Sequence, residues 1–153
     1  MERLSHRALA VAALAAASLP SCGIYDSKVS AERVAENYYS DVFASRPENA
    51  LPLYANSFFN STPKERLLDL FKEVYLRCGT LISHKLVNWQ AHTDLTMGRS
   101  GATLVYDVRY SSCDMRETLV LAEQSQGVWK IRAQNFKVLS ATPLLSQPRG
   151  TSI

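Results

Sequence analysis

The sequence is poor in the residues from which most catalytic sites are assembled. Its 153 residues include three histidines, three cysteines and six glycines. No serine stands in a Gly-x-Ser-x-Gly elbow, which disfavours a hydrolase of that type, and no glycine-rich phosphate-binding loop is present. Charge of one sign is also scarce, with 17 Lys and Arg against 14 Asp and Glu. The two signs are interspersed, so the linear sequence shows no basic stripe for nucleic acid or for an anionic surface. A membrane-spanning run is missing as well. Ala8 to Leu19 is twelve residues with only Ser18 polar, short of the roughly 20 that cross a bilayer core as a helix.

What precedes and closes that run changes its meaning. Arg3 and Arg7, with His6 between them, supply a positive start, and Leu19-Pro20-Ser21-Cys22 ends it, followed by Gly23. A basic start and a short apolar stretch make an export signal. The closing tetrapeptide resembles a bacterial lipobox, in which cleavage precedes a cysteine that carries the lipid. Leu19, Ser21 and Cys22 fit that pattern, whereas Pro20 departs from its usual small residue. The resemblance implies a signal peptide over 1–21, lipidation at Cys22 and a short linker over 22–29 that keeps the domain close to the membrane. Three acyl chains would hold firmly, because two already anchor stably. Gly23 in place of an aspartate implies, by analogy with the sorting of Gram-negative lipoproteins, the outer membrane on its periplasmic side. The alternative is an ordinary secretory signal cut near Ala15-Ala16-Ala17, leaving Cys22 a free thiol.

Removing residues 1–21 takes away Glu2, Arg3 and Arg7 and leaves a net charge near +2 over 132 residues. That length predicts one domain, able to bury roughly two thirds of its unfolded surface. With Cys22 assigned to lipid, Cys78 and Cys113 remain. In an oxidising compartment they read most simply as one disulfide, the alternative being two unrelated thiols. No further Cys or His stands at metal-ligand spacing from either.

Three helices are expected first. One starts near Ser27 or Ser30, carries Val34, Tyr38 and Val42 at steps of four, and ends before Pro47. A short one covers Glu48 to Tyr54, with Pro52 in its first turn or breaking it. The third opens on Thr62-Pro63-Lys64-Glu65, a capping box with proline at the first helical position, and stops at Gly79. Its stripe is Leu67, Leu68, Phe71, Val74, Tyr75 and Cys78.

After Gly79 the period falls to two, the signature of strands. Thr80 to Ala91 has mixed phase, Ile82 and Leu86 against Leu81, Val87 and Trp89, a conflict that a bulge or bend resolves. Ala102 to Ser111 alternates cleanly, Leu119 and Leu121 anchor a third strand, and the turn at Ser125-Gln126-Gly127 feeds a fourth. In that fourth strand Trp129, Ile131 and Ala133 face one way and Lys130, Arg132 and Gln134 the other. Residues 139–153 read as a disordered tail.

Helices followed by antiparallel strands predict an α+β fold with helices on one face of a curved sheet of about four strands. The order of these elements and the ending Gly127-Val128-Trp129-Lys130-Ile131 resemble the NTF2-like (cystatin-like) superfamily over about 30–138. That resemblance implies a cone with an open end, used by its members for catalysis, for ligand binding, or left filled. For isomerase members it implies an acid or base inside the cone beside a tyrosine.

Tyr38, Tyr54, Tyr75, Tyr106 and Tyr110, with Trp89 and Trp129, are candidates to line such a pocket; the alternative is core aromatics with hydroxyls reaching outward. Acids for catalysis are not evident, since Asp107 falls opposite Tyr106 and Tyr110, and Glu36 and Asp41 read as solvated helix positions. His84, His92 and Asp94 could be imagined as a cluster, but both histidines take the same strand face about 26 Å apart when extended. No catalytic residue, cofactor or metal is therefore assigned. Two functions of different class follow. One is an interaction module, docking through the outer sheet face (Val105, Arg109, Lys130, Arg132) on an envelope protein or a second copy. The other is a binder of a small apolar or amphipathic ligand in the cone.

Overall fold

The structure is a computed structural model that describes residues 21–94 and 99–141. Helix α1 spans Ser21–Phe43. A 3-10 segment follows at Pro47–Leu53 and a second at Asn56–Asn60, then helix α2 at Lys64–Cys78. Strands β1 (Leu81–Asp94), β2 (Arg99–Tyr110), β3 (Cys113–Ser125) and β4 (Val128–Ala141) form one antiparallel sheet in chain order. The chain is thus α+β, with its helical elements on one face of an open four-stranded sheet. No described helix is long and apolar enough to cross a membrane.

α1 begins earlier than the serines suggest. Residues 22–29, expected as linker, belong to the helix, and the Ser27 hydroxyl donates back to the Gly23 carbonyl at 2.8 Å instead of capping a terminus. Its buried stripe is Ala31, Ala35, Tyr38 and Tyr39. The small alanines let the helix lie close to the sheet, and the tyrosines fill the space beyond. Lys28 sits over the Trp89 ring and Glu36 meets His84, so α1 runs antiparallel to β1.

The expected second helix is a 3-10 segment with Pro52 inside it, a geometry that a proline without an N–H tolerates in a short run. The second 3-10 segment had no clear signal in the sequence. The capping box does not form. The Thr62 N–H bonds back to the Phe58 carbonyl at 3.1 Å, so Pro63 becomes the N-cap and Leu67 N–H bonds its carbonyl at 3.0 Å. Gly79 does stop α2, at φ 77°, with its N–H on the Tyr75 carbonyl at 2.8 Å. A Cβ there would meet Ser111 Oγ at 2.0 Å, so this glycine is required by both backbone and neighbour.

Cys78 and Cys113 are at disulfide distance, S–S 2.05 Å, tying the end of α2 to the start of β3. β1 carries two register shifts, at Leu81/Ser83 and Leu86/Asn88. They resolve the mixed phase by turning Leu81, Leu86 and Trp89 to the helix side, while Ile82 and Val87 are exposed. β4 shifts register opposite Val120/Leu121, where the Ile131 carbonyl accepts from Ala55 N–H at 2.9 Å. Residues 139–141, expected in the tail, extend β4: Ser140 pairs with Asp114 and Ala141 with Cys113. Residues 1–20 and 142–153, with most of the signal and tail expectations, lie outside the described residues.

Candidate functional site

The sheet's helix-covered face holds a carboxyl that the sequence pattern did not single out. Glu117 is fully buried on β3, between Met115 and Leu119 on the inward alternation. The Tyr110 hydroxyl donates to Oε1 at 3.0 Å, and those of Tyr39 and Tyr38 to Oε2 at 3.2 and 3.4 Å. Gln134 completes the cluster. Its amide donates to the Tyr38 oxygen at 2.8 Å and accepts from the Tyr54 hydroxyl at 2.5 Å. Two tyrosines come from α1, one from β2, one from the loop between 3-10 segments, and the acceptors from β3 and β4.

Removal from water pushes the Glu117 carboxyl up to about 7, against the opposing pull of the Tyr110, Tyr39, Tyr38 and Gln134 hydrogen bonds. Burial, followed by the nearby Glu117 charge, raises the Tyr38, Tyr39, Tyr54 and Tyr110 hydroxyls well above the ordinary phenol range. All four phenols therefore remain donors. Beside the cluster, Tyr39 stacks on His84 at 4.2 Å between centroids, and His84 Nε2 lies 2.9 Å from Glu36 Oε2. The Tyr106 hydroxyl is buried and has no hydrogen-bond partner among the described residues.

Chemically, the carboxyl is an organiser. Every donor around it comes from the protein, and neither it nor Tyr38 is exposed. The reachable feature lies next to it, at the end of the molecule where α1 finishes and β1 begins. There a cavity of about 440 Å³ is walled by Val42, Pro47, Leu68, Phe71 and Leu81, and closes on Tyr110. Tyr110 belongs to both: it walls the cavity and donates to Glu117.

The seven aromatic candidates separate. Tyr110 and the half-exposed Tyr75 line this cavity. Tyr38, Tyr54 and Tyr106 are buried in the core, as is Trp129. Trp89 is 37% exposed beneath Lys28 and lines no common pocket with them. Glu36 is not simply solvated, since it reaches His84. Asp107 faces outward as expected and pairs with Arg116 at 2.8 Å. The register shift at Leu86/Asn88 places His84 inward and His92, opposite Gly101, outward, so the two histidines lie on opposite faces. Among the described residues no group of three His, Cys, Asp or Glu could hold a metal ion.

Gln134 was expected outward with Lys130 and Arg132. The β4 register shift turns it inward opposite Leu119 and leaves Ala133 exposed. No family model, curated protein or solved structure matches this chain.

Proposed function

We propose that this chain is an exported lipoprotein whose NTF2-like domain holds a small apolar or amphipathic ligand in the cavity ending at Tyr110. The observation that carries the reading is the cavity itself, an open, mostly apolar space of ligand size whose lining includes the buried Tyr110 phenol. Binding sites of this kind are mostly apolar with a few fixed polar groups. Glu117 fixes that phenol from behind, at 3.0 Å. The helix-on-sheet layout supports a cone of the NTF2-like kind. The N-terminal pattern around Cys22 supports anchoring at a membrane, with the domain exposed to the periplasm.

The outer sheet face gives less support to docking as the main role. Arg109 pairs with Asp114, Arg116 with Asp107, and Lys130 bonds the Pro52 carbonyl. These groups are engaged, Val105 between them is half-buried, and Arg132 alone of the three expected docking cations has no ion-pair or hydrogen-bond partner among the described residues. An isomerase-like site would need the acid to face a substrate, whereas Glu117 faces three tyrosines.

Native mass spectrometry of the protein secreted into an oxidising compartment tests the ligand. A reproducible extra mass on the monomer is expected, and it should disappear in Leu68→Trp, which fills the cavity from α2. A bare monomer that also fails to take up an apolar fluorescent dye would refute the reading. Cys22→Ser should release the protein from membranes, and retention with the lipid fraction would refute the anchor.

A further inference from the structure

A second concave site lies at the opposite end of the molecule from Tyr110. It is a groove of about 480 Å³ across the outer sheet face, lined by His92 of β1, Arg99 of β2 and Arg132 of β4 together with Ser57. In sequence these cations are separated by 7 and 33 positions and form no stripe. The sheet assembles them.

Three features distinguish this groove from an ordinary charged surface. First, neither Arg99 nor Arg132 has an ion-pair partner among the described residues, whereas Arg109 and Arg116 on the same sheet are paired. Second, Gly101 makes room for the histidine: a Cβ there would meet His92 Nε2 at 2.5 Å. A glycine inside a strand marks such a close approach. Third, the acid among the lining residues is held towards the β3–β4 turn, although it keeps its charge. Glu123 Oε1 accepts from Gly127 N–H at 2.7 Å, tying its carboxylate into the β3–β4 turn.

We propose that this groove binds a phosphate group. Two guanidiniums carry flat forks of donors suited to phosphate oxygens, and an imidazole and the Ser57 hydroxyl add single donors. Its position suggests a source. α1 runs antiparallel to β1, so the helix start that carries Cys22 lies at the end where β1 finishes and β2 begins, the same end of the sheet as the groove, on its other face. If Cys22 is lipidated, the groove lies close to lipid headgroups; that part rests on the anchor, while phosphate recognition itself does not. A free phosphorylated solute presents the same chemistry.

The test uses the full chain carrying Cys22→Ser, with inorganic phosphate and with vesicles of phosphatidylglycerol or phosphatidylcholine. Phosphate should shift the His92 ring resonances, and the shift should vanish in Arg99→Gln/Arg132→Gln. If headgroups are the source, phosphatidylglycerol vesicles should be preferred by a margin that falls roughly thirtyfold in that double variant, at about fivefold per basic side chain. The equally charged control Lys85→Gln/Lys137→Gln should keep the preference. A phosphate-induced shift without vesicle preference assigns the groove to a soluble phosphate ester. No shift with phosphate, or equal losses in both double variants, would overturn the site. Matching thermal melts of the two variants show that folding is not the cause.

Discussion

The Tyr110 hydroxyl and Glu117 Oε1 lie 3.0 Å apart, and through that bond the end wall of the cavity is continuous with the core. Tyr38 and Tyr39 grip the other carboxylate oxygen from α1. One buried side chain therefore joins the helix layer, the middle of the sheet and the cavity.

That carboxyl makes stability depend on pH. Its folded value, about 7, lies above the ordinary 4.5, so between those limits the native state holds a proton that the unfolded chain has lost. Stability from this group is complete below about 4.5, falls as pH rises through 7, and is level above it, a change on the order of 3 kcal/mol. Denaturant melts from pH 4 to 8 should show this fall in the wild type. Glu117→Gln, which stays neutral, should flatten it. Parallel slopes in the two proteins would refute the assignment.

Tyr106 tests the opposite case, a buried hydroxyl with no partner among the described residues. Removing an unpaired polar atom relieves a desolvation penalty. Tyr106→Phe should be neutral or stabilising by about 1 kcal/mol in urea unfolding, while Tyr38→Phe should destabilise, since its oxygen both donates to Glu117 and accepts from Gln134.

The disulfide closes a separation of 35 residues between α2 and β3. Chain entropy assigns such a loop roughly 3 to 4 kcal/mol. Reductant, or Cys78→Ser with Cys113→Ser, should lower the melting temperature by several degrees. Equal melting with and without reductant would mean that the cross-link does not constrain the unfolded chain.

Gly79→Ala should destabilise by about 1–3 kcal/mol or more. The substitution forces a side chain into φ 77° and against Ser111 Oγ. Gly127→Ala is the control: its φ of 76° is similar, but nothing lies within 4 Å. Chemical melts of the two variants separate backbone strain from collision.

Much of the fold is legible because it rests on counting and period. Two leftover cysteines pointed to one bond, Gly79 to a helix stop, and the mixed phase of residues 80–91 to a bulge; all three are present. Glu117 was within reach. Extending the alternation back from Leu121 and Leu119 places it inward with Met115 and Cys113, and a charged residue in that phase is the signal. Gln134 was not, because it turns inward only through a register shift in β4. Local pattern does not reveal where a carbonyl is claimed by a distant segment, as Ile131 is by Ala55. The capping box failed for a similar reason, since Thr62 was already held by the preceding 3-10 segment.

Helix α1 is 23 residues long, a rod of roughly 34 Å, and its last turns supply Val42 to the cavity. A pull on its first turn travels down this rod before it reaches any loop. Near its C-terminal end it meets Tyr38 and Tyr39, clasped to Glu117 in the sheet. If the chain is tethered at the head of the helix, load passes through this clasp into the sheet, and Tyr110, bonded to the same carboxyl, links it to the cavity wall.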